Sequence, residues 1–136
     1  MVPVDGLIEL VLEVADLERA ERFYREVLGL PVVERWGPPR AAVWLAMGRH
    51  ARLGLWPPQT GGAVALHGGR GGAHVHFALG VDGGRLAAAL ESLRAQGCDV
   101  EGPVRFAEGD QAVYVTDPDG HVVELWDADL AAHYGL

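Results

Sequence analysis

His74 and His76 stand two residues apart within the run Ala73 to Val81. Residues i and i+2 of a strand point to one face, so the two imidazoles would look into the same space, roughly 7 Å apart. An imidazole in such a place ligates a metal or carries a proton near neutral pH. A partly solvated histidine without a role is the plainer alternative for His74. Four aromatic residues, Trp44, Trp56, Tyr114 and Trp126, recur at matching places in the two halves of the chain. Strand parity puts Trp56 on the face of Gly54 and Trp126 on the face of Glu124. These rings could line a pocket for a planar or apolar ligand, or serve core and dimer packing. His67 and Arg70 lie among glycines, where they could close over an anionic substrate or stay in a solvated linker. His121 points away from Glu124 by parity, and His50 and His133 have no supporting pattern. The single Cys98 can form neither an internal disulfide nor a thiolate cage, and it reads as a small apolar residue. No phosphate-cradling glycine loop follows a strand, and there is no Ser/His/Asp spacing, so nucleotide binding and covalent hydrolysis have no support.

Strands and helices must hold these groups. Leu7 to Val14 alternates Ile8, Leu10, Leu12 and Val14 against Leu7, Glu9, Val11 and Glu13, the period of a half-buried strand with carboxylates on one face. Asp16 is a helix N-cap, and Leu17, Ala20, Phe23, Tyr24, Val27 and Leu28 follow at helical spacing with Gly29 at the end, which predicts a helix over 17–28. Pro31 to Trp36, Ala42 to Met47 and Arg52 to Trp56 are short strand-like runs, so the first half reads β-α-β-β-β. A Gly- and Pro-rich linker over 58–72 separates it from a second half of the same plan. There Ala73 to Val81 is a strand, and Asp82 opens a helix carrying Leu86, Ala89, Leu90 and Leu93 that Gly97 closes. Val100 to Phe106 is a weaker strand, and Gln111 to Thr116 and His121 to Asp127 form a hairpin across Asp117, Pro118, Asp119 and Gly120.

The halves superpose by counting. Ala42-Val43-Trp44-Leu45 matches Ala112-Val113-Tyr114-Val115 at an offset of 70, and Gly54-Leu55-Trp56 matches Glu124-Leu125-Trp126 at the same offset. Glu9 through Val14 matches His76 through Val81 at an offset of 67. Such an internal duplication predicts an α+β protein of two βαβββ units pairing through their first strands into one curved, cup-shaped mixed sheet with helices outside. The expected organisation is a single domain over 1–136, with unit one at about 5–57 and unit two at about 73–128. Eleven arginines, no lysine and 19 acidic residues give a net charge of −8, which argues against binding to nucleic acid phosphates. No apolar run approaches the roughly 20 residues of a membrane span, and the chain starts without a secretion-signal pattern, so a soluble cytoplasmic protein is expected.

The stretch Val14-Ala15-Asp16-Leu17-Glu18-Arg19-Ala20, with Phe23-Tyr24 and Val27-Leu28-Gly29-Leu30, and the stretch Asp117-Pro118-Asp119-Gly120-His121-Val122-Val123-Glu124-Leu125 resemble the vicinal oxygen chelate superfamily. That superfamily includes glyoxalase I, fosfomycin-resistance thiol transferases, extradiol dioxygenases and bleomycin-resistance proteins. The resemblance implies metal-ligand positions at Glu9, Gly54, His76 and Glu124, of which Gly54 offers no donor. It thus implies one divalent metal, Zn, Mn, Ni or Fe(II), held by Glu9, His76 and Glu124, with Glu124 or His74 moving protons. A register shifted by two would make His74 the ligand instead. Two carboxylates converging in a partly dry cup call for a cation or a shared proton. The alternative from the residues is Glu9 paired with an Arg, Glu124 hydrogen-bonded and His76 a satisfied pocket histidine. The functions implied are a metal-dependent lyase, isomerase or thiol transferase acting on a small oxygen-chelating substrate, a metal-free small-molecule sequestration protein, or, third, an extradiol-type dioxygenase. The resemblance also implies a homodimer.

Overall fold

The computed structural model describes residues 1–39, 41–58 and 75–136. The chain divides into two compact units, Met1–Gly68 and Gly69–Leu136. In the first, β1 (Glu9–Glu13) leads into α1 (Leu17–Arg22), followed by β2 (Val32–Trp36), β3 (Ala42–Met47) and β4 (Ala51–Trp56). The second repeats this order as β5 (His76–Gly80), α2 (Leu86–Ala95), β6 (Val100–Arg105), β7 (Gln111–Thr116) and β8 (Val122–Trp126), and adds α3 (Leu130–Tyr134). Each unit is a four-stranded mixed sheet, ordered β1-β4-β3-β2 and β5-β8-β7-β6, so the protein is α+β with two βαβββ units.

The register reproduces the offsets. Val11 pairs with Gly54 in parallel and Trp44 opposes Gly54, while Ala78 pairs with Glu124 and Tyr114 opposes Glu124. Both β2 and β6 are interrupted by an irregularity where they meet their neighbour, between Val32 and Glu34 and between Glu101 and Val104. In each unit alternate residues of the two central strands are buried in the core, Val43, Leu45, Leu53 and Leu55 in the first and Val113, Val115, Val123 and Leu125 in the second. In the first unit α1 packs on β3 and β4, and in the second α2 packs on β6 and β7, with Leu86, Leu90 and Leu93 buried. The remaining face of each sheet carries the chemistry.

The first helix departs from the expected 17–28. Regular α geometry, capped by the Asp16 carboxylate accepting from the Arg19 N–H at 3.0 Å, ends at Arg22, and Phe23–Val27 form a π turn closed by the Leu28 N–H on the Phe23 carbonyl at 3.0 Å. Two consecutive aromatics, Phe23 and Tyr24, are both buried at this wider turn. The first strand is shorter than Leu7 to Val14, and the second-unit strand is described from His76 onward. Unit two extends past 128, because α3, capped by the Asp129 carboxylate on the Ala132 N–H at 3.0 Å and closed by Gly135 in the left-handed region, follows β8. No helix among the described residues is long and apolar enough to cross a membrane.

Candidate functional site

The exposed side of the second-unit sheet brings together an imidazole, a carboxylate and a phenol. His76 opens the edge strand β5, and Glu124 sits on its neighbour β8. The His76 Nε2 lies 3.0 Å from the Glu124 Oε2, and the Tyr114 hydroxyl donates to the Glu124 Oε1 at 3.2 Å. The Tyr114 ring, directly across β7–β8 from Glu124, meets the His76 ring edge-on at 5.8 Å. Glu124 is buried to 8% exposure, whereas 43% of the His76 side chain is open. Burial, then the repulsion and hydrogen bonding of Glu124, push the Tyr114 phenol above its usual range, so it stays a proton donor to the carboxylate at neutral pH.

Tyr114, Glu124 and Trp126 also line a cavity of about 670 Å³ within this unit, with Phe106, Asp110 and residues of α3 among its other walls. Trp126 is fixed by its indole N–H donating to an Asp110 oxygen and by Phe106 edge-on at 5.6 Å.

Among the described residues the first unit has no such arrangement. Glu9 is clamped by Arg52, whose guanidinium lies 2.8 Å from its carboxylate, 3.2 Å from that of Glu34 and 3.8 Å over the Trp44 ring. Gly54 holds no donor, and the space above it is taken, since a Cβ there would lie 2.6 Å from the Trp44 ring. Trp44 is buried at 1% exposure, in ring contact with Trp36 at 5.1 Å and Trp56 at 6.0 Å.

Of the residues expected from sequence, the structure therefore joins His76, Glu124, Tyr114 and Trp126 in one unit. Trp44 and Trp56 join in the other as parts of an indole cluster, and Glu9 lies in that first unit with Arg52. His74, His67 and Arg70 lie outside the described residues. Arg52, Asp110, Phe106 and α3 with His133 were missed by sequence reasoning. Arg52 is the partner of Glu9 in the parallel register of β1 and β4, a pairing that no sequence offset signals.

A further cluster, Asp117, Asp119 and His121, brings potential ligand atoms within 4.8 Å of one another. Here the Asp117 Oδ1 accepts from the backbone N–H groups of Asp119 at 2.9 Å and His121 at 2.8 Å, and its Oδ2 meets the His121 Nδ1 at 2.8 Å. The Gly120 N–H returns to the Asp117 carbonyl at 3.1 Å with Gly120 at φ +88°, a conformation suited to glycine. These bonds make the cluster a staple of the β7–β8 hairpin.

Whether the His76 and Glu124 pair suits a metal is a matter of spacing. Two neighbouring donors on a first-row divalent ion, each about 2.1 Å from it, lie about 3.4 Å apart in a tetrahedral site and about 3.0 Å apart in an octahedral one, the closer spacing being the octahedral requirement. The 3.0 Å between Nε2 and Oε2 fits that requirement, with an imidazole and a carboxylate as the donor types that zinc, manganese, nickel and iron accept.

Two βαβββ units in one chain, the second with a histidine and a carboxylate on adjoining strands, are features of the vicinal oxygen chelate class. The family description "Glyoxalase/Bleomycin resistance protein/Dioxygenase superfamily" matches residues 6–125, and the chain belongs to that superfamily. It is 30% identical over 131 residues to the lactoylglutathione lyase of Salmonella typhimurium, covering 90% of this chain and 92% of the relative. The crystal structure of lactoylglutathione lyase from Agrobacterium tumefaciens superposes with a TM-score of 0.75 at 28% identity, over 95% of this chain and 98% of that one. An antibiotic binding protein from a Streptomyces species shares the fold, with a TM-score of 0.71 at 20% identity over 95% of this chain and 100% of that one.

Proposed function

We propose that the protein is a divalent-metal-dependent lyase or isomerase of the glyoxalase kind, acting on a small substrate with neighbouring oxygen atoms. The observation that carries this reading is the 3.0 Å pairing of the His76 Nε2 with the Glu124 Oε2 beside a cavity of about 670 Å³. His76 and Glu124 would hold the ion, which supplies Lewis acidity at a substrate oxygen. Tyr114, kept protonated, donates to the Oε1 of Glu124 and fixes its orientation. That carboxylate is thereby placed to take a proton from a carbon next to a carbonyl and to return it. Glu9, expected as a further ligand, is engaged by Arg52, so the reading rests on the second-unit pair.

Elemental analysis of untagged protein purified without chelator, together with Co²⁺ titration followed by its visible spectrum, tests this. About one ion per chain is expected, with Glu124→Gln and His76→Ala each weakening binding by more than about tenfold. Turnover of hemithioacetals by the loaded protein would then be lost in Glu124→Gln. Less than about a tenth of an ion per chain, unrestored by Zn, Mn, Ni or Fe(II), would sink the reading.

A second reading, metal-free binding of a small molecule, is favoured by the first unit. There the ligand-position carboxylate is neutralised by Arg52 and the empty position is filled by Trp44. Saturable ligand binding that is indifferent to chelators and to Glu124→Gln would support it over the enzyme. A homodimer belongs to both readings and is measured by light scattering.

A further inference from the structure

A helix seals against a sheet only where side chains fill the space between them, and the two units do this with different residues. In the first, Phe23 and Tyr24 bury two rings edge-on at 5.1 Å. In the second, α2 has no ring and buries Leu86, Leu90 and Leu93. A groove of about 430 Å³ is left along α2, floored by Leu86, Leu90 and Val113. Its sheet residues are Gln111, Val113 and Asp127, which strand alternation sets on the opposite face from Tyr114, Glu124 and Trp126. The groove is therefore separate from the cavity of the function proposed above.

Its two ends carry opposite charge. At one, the Arg94 guanidinium is steadied by donating to the Gly102 carbonyl at 3.2 Å, and it forms no ion pair among the described residues. At the other, the Asp127 Oδ1 accepts the Gln111 backbone N–H at 2.6 Å, which fixes the carboxylate. A Cβ at position 83 would lie 3.1 Å from its Oδ2, so Gly83 keeps that oxygen open to the groove. Gly83 and Arg94 bracket α2, and because the arginine stem leans back toward the helix start, on the order of 10 Å separates the two charges. Glu91 on the exposed rim adds a second carboxylate, which disfavours a plain aliphatic acid, while a plain amine meets Arg94. The Gln111 carboxamide, donor and acceptor together, matches a peptide group. We infer that this groove binds a short zwitterionic peptide, with its carboxylate on Arg94, its ammonium on Asp127 and an apolar side chain on the leucine floor. An extended tripeptide spans about 10 Å, the distance between those charges.

Three probes test each end separately: alanyl-leucyl-alanine, its N-acetyl derivative and its C-terminal amide, titrated calorimetrically into the full chain. Saturable binding of the free peptide below about 1 mM is expected, with each blocked derivative at least about tenfold weaker. The variants should then cancel those preferences one at a time. In Arg94→Met, which keeps the apolar stem, the free peptide and its amide should bind alike, while the preference for the free amine remains. Asp127→Asn, which retains an oxygen for the Gln111 N–H, should erase the amine preference and keep the carboxylate one. Ala87→Phe, on the exposed rim, should remove binding by filling the groove and leave the melting temperature in place. Chelator and Glu124→Gln should change the peptide affinity by less than about twofold, which separates this groove from the metal reading. No saturation by about 10 mM, blocked derivatives that bind as well as the parent, preferences that survive both variants, or loss of binding in Glu124→Gln overturns the proposal.

Discussion

The same sheet face is built twice in this chain and furnished differently each time. Where the second unit has His76, the first has Glu9. Where the second has Glu124, Tyr114, Trp126 and Val104, the first has Gly54, Trp44, Trp56 and Trp36. In the first unit Arg52 supplies the positive charge that its carboxylates require, and indoles fill the remaining space. In the second the equivalent of Arg52 is Val122, no arginine among the described residues takes its place, and the carboxylate keeps a histidine and a phenol as its neighbours. One duplicated frame thus holds a closed, internally neutralised face and an open, acidic one. The lesson is that ligand capacity followed from three coupled positions, 52, 54 and 44, rather than from the loss of one ligand.

Transplanting a carboxylate into the closed face is the severest way to break that comparison. Gly54→Glu would put the Cβ 2.6 Å from a buried indole and add a charge in a buried strand. A loss of about 3 kcal/mol is expected in urea denaturation, from overpacking and desolvation together. Trp44→Tyr in the same chain, which copies the Tyr114 and Glu124 pairing, should recover at least about 1 kcal/mol of it, a coupling that a double-mutant cycle measures. Additive losses would show that the two faces are not interchangeable by this pair alone.

The two hairpins differ in the same spirit. By the offset of 70, the buried Asp117 that organises the β7–β8 turn corresponds to Met47, the last residue of β3, so the β3–β4 turn has no such carboxylate. Asp117→Ala leaves the N–H groups of Asp119 and His121 without their acceptor, for an expected loss of about 2 kcal/mol. Hydrogen exchange should then quicken at the β7–β8 turn and leave the β3–β4 turn as it was. Equal quickening in both would tie the turns into one cooperative unit.

Much of this was legible in the residues, and the reasons for the remainder are physical. The offsets of 70 and 67 located equivalent positions because strand register keeps a fixed period across a duplication, and it was the resemblance to the vicinal oxygen chelate superfamily that implied His76 and Glu124 as parts of one site. The residues offered an unspecified Arg as a partner for Glu9, yet an ion pair between strands 43 residues apart depends on which strands pair, and no local pattern announces it. The π turn at Phe23 escaped notice because two adjacent aromatics still satisfy a rough helical period. Helix α3, only five residues long, falls below any amphipathic signal, although Asp129 and Gly135 are its cap residues in the sequence. With it went the far walls of the acidic cavity.

Removing the internal cation tests the closed face more gently. Arg52→Met keeps the apolar stem over Trp44 and leaves Glu9 and Glu34 facing each other without their shared partner. All three side chains are more than a third open to water, so screening limits the expected loss to about 1 kcal/mol. Repeating the urea titration in about 0.5 M salt should shrink the difference from wild type, and Glu9→Gln added to Arg52→Met should return part of it. A difference indifferent to salt would assign the effect to packing on Trp44 instead of charge.

The smallest effect separates the two hairpins by pH. His121 is held above its usual range, chiefly by its hydrogen bond to Asp117, against a lowering by burial, with the charges of Asp117 and Asp119 adding to the rise. Its folded value thus exceeds the unfolded one, near 6.5. The protonated imidazole therefore contributes stability in full below about pH 6.5, and that contribution is lost as pH rises through the folded value. His121→Gln should be less stable than wild type at pH 5.5 by a few tenths to about 1 kcal/mol, and the gap should narrow steadily at higher pH. The corresponding residue of the first unit is Ala51, and the β3–β4 turn has no equivalent of Asp117. A gap at His121 that widened with pH would mean that the neutral imidazole is the form the hairpin prefers, and the charge-assisted staple would have to be abandoned in favour of a neutral hydrogen bond.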